Sequence, residues 1–216
     1  MARRKKKGRP SPRMIRLYHD LIARLGEPAD LWAFDPVDCP NPASSMAYKN
    51  VAAWPADDEV DVCTFFTMGM SDRVMPGADY RVELHMGIRA YLGKEERLNV
   101  ARFLADLAEY PFDHNRTLDF WHVLKQPGKI PHFPSCPHLI FHPRMTEAGF
   151  DTIADSEGEI RVFFVVPITP HERQLAIDRG KDALLDYWCE MEVDLFVDRI
   201  DPPKVDNRFN VPYSAD

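Results

Sequence analysis

The chain has little of what usually announces chemistry. Only 10 glycines occur among its 216 residues, and none falls in a G-x-G-x-x-G run or in a loop ending Gly-Lys-Ser/Thr. Nucleotide binding through a glycine-rich phosphate cradle therefore has no support. The four cysteines, Cys39, Cys63, Cys136 and Cys189, are scattered without C-x-x-C spacing. With no export signal they read as reduced thiols, not disulfides. No apolar run approaches the ~18 residues needed to cross a bilayer, and the basic start is not followed by the apolar stretch of a secretory signal. These absences point to a cytoplasmic protein without a membrane partner. What is present, 45% hydrophobic and 11% aromatic residues, suffices for one ordinary core that buries roughly 70% of the surface an unfolded chain would expose.

Charge is distributed unevenly. Residues 1–13 hold Arg3, Arg4, Lys5, Lys6, Lys7, Arg9 and Arg13 and no acid, so the whole-chain net charge of −7 leaves −14 for residues 14–216. Residues 1–13 read as a disordered basic tail and residues 14–216 as the folded domain. An acidic domain repels phosphate backbones and suits basic partners, so nucleic acid is expected only at the tail, through screened, sequence-blind contacts.

Periodicity then places the elements. Ser11-Pro12 opens a helix whose apolar residues Ile15, Tyr18, Leu21, Ile22 and Leu25 recur at three and four residue steps until Gly26. From Glu27 to Pro55 the prolines predict an irregular, aromatic-anchored covering segment. Strands are expected over 59–67 and over 79–92, the latter either one long strand or a bent pair with Gly87 permitting the bend. A helix spans 94–110, ended by Pro111. Short strands follow at 118–124 and 139–141, then a hairpin turn at 155–159. Ile160–Val166 is rich in β-branched and aromatic residues, and Pro167 is expected to stop its pairing. Thr169 caps the next helix, with Pro170 at its first position and Glu172 reaching back to the cap, and the helix runs to about 189. Val193–Arg199 alternates as a strand would. The fold class is α+β: a single domain with a mixed, mainly antiparallel β-sheet flanked by helices.

Catalytic readings fail on geometry. Gly69-Met70-Ser71-Asp72-Arg73 lacks the second glycine of a nucleophile elbow, and Ser71 is expected to bond its own turn. His171-Glu172 imitates a zinc-helix motif, but Leu175 stands where the second imidazole belongs. His122, His132, Cys136, His138 and His142 are the right ligand types for zinc. On an extended strand, however, His138 and His142 sit roughly 13 Å apart, too far to share one ion. Cys136 with His138 or His132 is the pairing that spacing leaves open, but no metal or other cofactor is expected. Asp178, Asp182 and Asp186 recur at a four-residue step continued by Glu190, which sets them on one helix face, either solvated or an acidic docking surface.

Several blocks taken in order resemble the suppressor-of-fused family. They are Thr67-Met-Gly-Met-Ser71, Tyr80-Arg-Val-Glu-Leu84, Ala108-Glu-Tyr110-Pro111, Val165-Val-Pro-Ile-Thr-Pro-His-Glu172, Gly180 with Ala183-Leu-Leu185, and Asp198-Arg199-Ile-Asp-Pro202. The resemblance implies an adaptor, not an enzyme: the animal protein is a cytosolic regulator that clamps a transcription factor, and bacterial relatives include predicted immunity proteins against secreted toxins. It also implies that a peptide adds as an extra strand along Tyr80–Leu92, making Tyr80 a partner contact. With its last residue near 216 the chain is expected to lack the second domain that closes the animal clamp and to resemble the stand-alone bacterial form. The resulting expectation is a non-enzymatic cytoplasmic protein-binding module that sequesters or neutralises a protein partner, such as a toxin domain with a basic surface. The alternative is a small hydrolase or metal-dependent enzyme built on the histidine-rich loop 122–142.

Overall fold

Ser11 opens the first helix: its Oγ accepts from the N–H of Met14 at 3.0 Å, Pro12 fills the first turn, and Gly26 at φ 77° ends it. In the computed structural model, which describes residues 9–34, 49–143, 152–155 and 157–202, this helix is α1 (Pro12–Leu25). It is followed by β1 (Asp30–Phe34), β2 (Lys49–Trp54), β3 (Cys63–Met68), β4 (Arg81–Ile88), α2 (Lys94–Asp113), β5 (Val123–Lys125), β6 (His138–His142), β7 (Thr152–Asp155), β8 (Gly158–Ile168) and α3 (Pro170–Glu190).

The strands form one eight-stranded sheet in the order β1-β2-β3-β4-β8-β6-β5, with β7 also paired to β8. Every pairing is antiparallel except β4 with β8. Side-chain alternation along β8 shows how the sheet divides the core. Phe163 and Val165 join Leu104, Ala105 and Ala108 of α2 on one face. Ile160 and Val162 meet Met14, Leu17 and Leu21 of α1 on the other. On that same side Phe164, Val166 and Ile168 meet Leu184 and Trp188 of α3. The fold is thus the expected single α+β domain, with α2 on one face of the sheet and α1 and α3 side by side on the other.

Several local expectations are corrected. The proline-rich 27–55 stretch contains two strands: β1 and β2 pair from Asp30↔Ala53 to Phe34↔Lys49, and β2 is buried throughout. Pro28 and Pro55 lie just outside these strands, where no ladder bond is lost. Pro36, Pro40 and Pro42 lie outside the described residues. Pro111 does not end α2, which continues to Asp113 with Pro111 and Phe112 buried. So near the end, the missing N–H costs one bond that burial offsets. Pro167 does not stop β8 either, because Leu139↔Pro167 and His138↔Ile168 remain in register. The Pro167 carbonyl accepts from Arg199 Nη2 at 2.6 Å, so the residue's main-chain polar groups face away from β6 and the absent N–H breaks no bond of that ladder. Residues 118–122 are not strand, since Trp121 takes φ 69°, and β5 begins only at Val123. Val193–Arg199 is a turn segment, not a strand. It crosses the ends of β4 and β8, with Arg89 N–H donating to Phe196 O at 2.9 Å.

Candidate functional site

The family-like blocks converge on buried carboxylates. Glu83, fully buried on β4, accepts four hydrogen bonds. Oε1 takes the N–H groups of Gly69 and Ser71 at 2.9 and 3.0 Å and the Ser71 hydroxyl at 2.6 Å, while Oε2 takes the Thr67 hydroxyl at 2.6 Å. The tight 3-10 turn Met70–Asp72 makes this possible because Gly69 enters it at φ 114°, a conformation costly for other residues. Ser71 is therefore bonded to a distant carboxylate and not to its own backbone. Burial outweighs the four donors and pushes the Glu83 carboxyl up to about 7.

Glu172 forms a second node. The Thr169 cap is as expected: the Thr169 hydroxyl accepts from Glu172 N–H at 3.2 Å, and Glu172 Oε2 accepts from Thr169 N–H at 2.8 Å. The same carboxylate also takes Trp188 Nε1 at 3.0 Å and the fork of Arg199 at 3.1 and 2.9 Å. Arg199 in turn donates to the carbonyls of Asp194, Val197 and Pro167. Glu109, in the Ala108–Pro111 block, pairs with the buried ammonium of Lys49 at 3.1 Å. Glu109 ties α2 to β2, and Glu172 with Arg199 ties α3 to β8 and to the turn at 194–199. Sequence reading missed Glu83, Lys49, Glu109 and Arg199. None left a local signal: Glu83 alternates with Arg81 and His85 opposite the apolar Val82, Leu84, Met86 and Ile88, which reads as a strand with one polar face.

The metal candidates do not converge. His122 Nδ1 accepts from Asp119 N–H and His138 Nδ1 from Gln126 N–H. His142 packs against Trp121 and Trp188. Cys136 is buried and its thiol is pushed up to about 11 by desolvation. Among the described residues no three His, Cys, Asp or Glu side chains are placed to hold a metal ion, and no helix is long and apolar enough to cross a membrane.

The expected partner contacts fall as follows. Tyr80 is half-buried, its hydroxyl donates to Leu118 O at 2.6 Å, and the Arg161 guanidinium lies 3.8 Å above its ring. The strand it precedes is not an edge. β4 pairs with β3 over residues 85–88 and with β8 over 81–85, so a strand added along Tyr80–Leu92 would meet an edge already occupied by β8 at residues 81–85. Asp178, Asp182 and Asp186 are exposed on α3, but Gly180 interrupts that helix at φ 83°, ψ 177°. Asp182 and Asp186 keep their one-turn relation, whereas Asp178 belongs to the preceding segment and receives Gln174 Nε2 at 2.8 Å. Arg13, counted with the basic tail, is instead part of α1: it is buried and paired with Asp155 at 2.7 Å. Residues 1–8 lie outside the described residues.

The suppressor of fused protein family model matches residues 45–199. No curated protein sequence matches the chain. Solved structures do. One is the Sufu–Fu complex, at 13% identity and TM-score 0.60, with 90% of this chain and 92% of that chain covered. Another is a suppressor-of-fused homolog from Neisseria gonorrhoeae, at 14% identity and TM-score 0.55, covering 78% and 84%. Drosophila Suppressor of Fused aligns at 13% identity and TM-score 0.57 over 91% of this chain but 51% of its own, so the chain spans about half the length of that protein. At such identities the structural matches show the fold alone, and it is the family model, covering well over half of the sequence, that decides membership. The chain belongs to the suppressor of fused protein family.

Proposed function

We propose that this chain is a non-enzymatic protein-binding module that sequesters or neutralises a protein partner in the cytoplasm, the partner being a toxin domain with a basic surface. The observation that carries the reading is family membership, together with a solved relative captured in complex with Fu. The blocks that mark the family are consumed in building the fold, which leaves surface as the working part. Charge supplies the partner's chemistry: residues 14–216 carry −14, and Asp182 and Asp186 present adjacent exposed carboxylates, with Asp178 beyond the kink. Facing carboxylates of this kind speed encounter with a basic protein more than they tighten the final complex. Tyr80, half-buried and engaged by Leu118 and Arg161, contributes through its side chain.

Affinity capture of the tagged chain from its native cell, with quantitative mass spectrometry, tests the proposal. The expected result is one basic protein recovered in stoichiometric amount, whose association slows when Asp182 and Asp186 are both changed to Lys. Repeated recovery of no stoichiometric partner overturns it.

A further inference from the structure

The sheet ends at β1, and among the described residues no strand lies on its outer side. Natural edge strands are blunted by brevity, charge or proline. The opposite edge, β5, has three residues and ends in Lys125, whereas β1 has five, Asp30-Leu-Trp-Ala-Phe34. Its Leu31 is 45% exposed, and Ile15 of α1, beside it, is 46% exposed. Between them lies a cleft of about 190 Å³ walled by Met14, Ile15, Tyr18, Leu31, Asn50 and Met68. Asn50 is only 8% exposed, yet its Oδ1 has no hydrogen-bond partner. A buried acceptor left unpaired is destabilising, and it stands here in an otherwise apolar wall.

Register explains why the cleft opens at the edge. Ala33 pairs with Asn50 and Asn50 with Met68, forming one cross-sheet row on the α1 face, and Leu31, Ala52 and Phe66 form the next. Ala33 is too small to cover Asn50. A strand added outside β1 would continue both rows, laying one side chain over Ala33 toward Asn50 Oδ1 and another beside Leu31. We propose that an extended segment of a partner protein pairs with the outer edge of β1, places apolar side chains in the cleft under α1, and donates a hydrogen bond to Asn50 Oδ1 from an amide or hydroxyl side chain. Main-chain bonds supply affinity in this mode, and the pocket supplies specificity. The cleft is smaller than the ~300–1,000 Å³ of small-molecule sites and matches one or two side chains. A second copy does not fit: β1 paired with β1 would turn only Leu31 and Ala33 toward the cleft, and neither can donate. The inference rests on the protein-binding reading above and adds the surface and the chemistry of the bound segment.

The test pans a phage-displayed library of random peptides, roughly a dozen residues long, against the immobilised full chain. The affinities of the synthesised winners are then measured for wild type, Asn50→Leu, Leu31→Lys and, as a control on the far face, Arg102→Gln. The expected winners alternate apolar residues with one Asn, Gln, Ser or Thr on the inward side. They should lose at least tenfold in affinity with Asn50→Leu and Leu31→Lys but not with Arg102→Gln. Asn50→Leu should also melt no lower than wild type, because it removes the orphan acceptor, so its lost binding is not lost folding. Winners that bind both variants as tightly as wild type overturn the site and leave the protein-binding reading standing. No winners, alongside a captured partner indifferent to both substitutions, does the same. No winners and no captured partner overturn both readings. A dimer in sedimentation that Leu31→Lys abolishes assigns the edge to a second copy and overturns the proposal.

Discussion

The Ser71 hydroxyl lies 2.6 Å from Glu83 Oε1, twelve residues along the chain, inside a region with no exposed surface at either residue. What resembles half of a nucleophile elbow is a donor set gathered around one carboxyl group. The serine is held where no substrate reaches it, and the turn exists to present two N–H groups and a hydroxyl to the glutamate.

Glu83→Gln and Glu83→Ala should therefore differ sharply. Glutamine keeps an oxygen for the three donors now served by Oε1, and its NH₂ can donate to the Thr67 hydroxyl, which is free to accept a second bond besides that from Leu84 N–H. Glu83→Gln should stay within about 1 kcal/mol of wild type at pH 8, while Glu83→Ala strands four donors and should cost roughly 3 kcal/mol or more. Urea denaturation checks this, and equal damage from the two variants would contradict the assignment.

Acid behaviour should separate Glu83 from its neighbour two residues along. Burial raises Glu83 to about 7, so the folded state holds a proton that the unfolded state has released, and this contribution to stability is lost as pH rises from about 4.5 through 7. His85, between the rings of Phe66 and Phe164, is pushed down to about 4 by desolvation, so its contribution is lost as pH falls from about 6.5 through 4. The two oppose each other. Relative to wild type, His85→Phe should gain stability on going from pH 7 to 5, and Glu83→Gln should lose it. Melting temperatures in matched buffers would show parallel profiles if neither group titrates abnormally.

Arg199 should be the costliest single surface-proximal loss near the end of the described chain. Removing its fork leaves the buried Glu172 carboxylate with only Thr169 and Trp188 as donors, a change worth about 3–5 kcal/mol for Arg199→Ala. Arg199→Lys, a single-point donor in place of a fork, should recover only part. A double-mutant cycle with Glu172→Gln should show coupling well above 1 kcal/mol; additive effects would deny the node.

Gly87 should resist even alanine. It lies inside β4, which runs on as one continuous strand, the unbent of the two expected forms. A methyl there would lie 2.6 Å from the Phe196 ring and 3.0 Å from Val62 Cγ1. Gly87→Ala should cost about 1–3 kcal/mol by overpacking, and Phe196→Leu should restore part of it in the double variant. An unchanged unfolding midpoint for Gly87→Ala would show that the 193–199 segment does not bear on β4.

What could be read from sequence was local. Ser11, Thr169, Pro170 and Glu172 mark helix starts within a few residues, and the apolar run at 160–166 identifies the strand that becomes the hinge between three clusters of the core. What could not be read was set by distant partners. Pro111 is tolerated because its burial offsets one lost bond, and Pro167 because its main-chain groups face away from β6, where its carbonyl accepts from Arg199; neither circumstance is visible from the neighbouring residues. β1 and β2 hid among prolines because their strength comes from pairing with each other and with β3. The aspartate stripe presumed an unbroken helix, and Gly180 breaks it. The β8 side of residues 81–85, just past Tyr80, is occupied by a parallel neighbour that lies far along the chain.

If this family member holds a protein through its surface while its signature residues only build the fold, capture from the native cell should give the same result for wild type and for the folded Glu83→Gln variant. Run in parallel with stoichiometry from mass spectrometry, both should recover one basic protein near one-to-one. No stoichiometric partner with either, or a partner bound by wild type and lost with a fully folded Glu83→Gln, would overturn that reading.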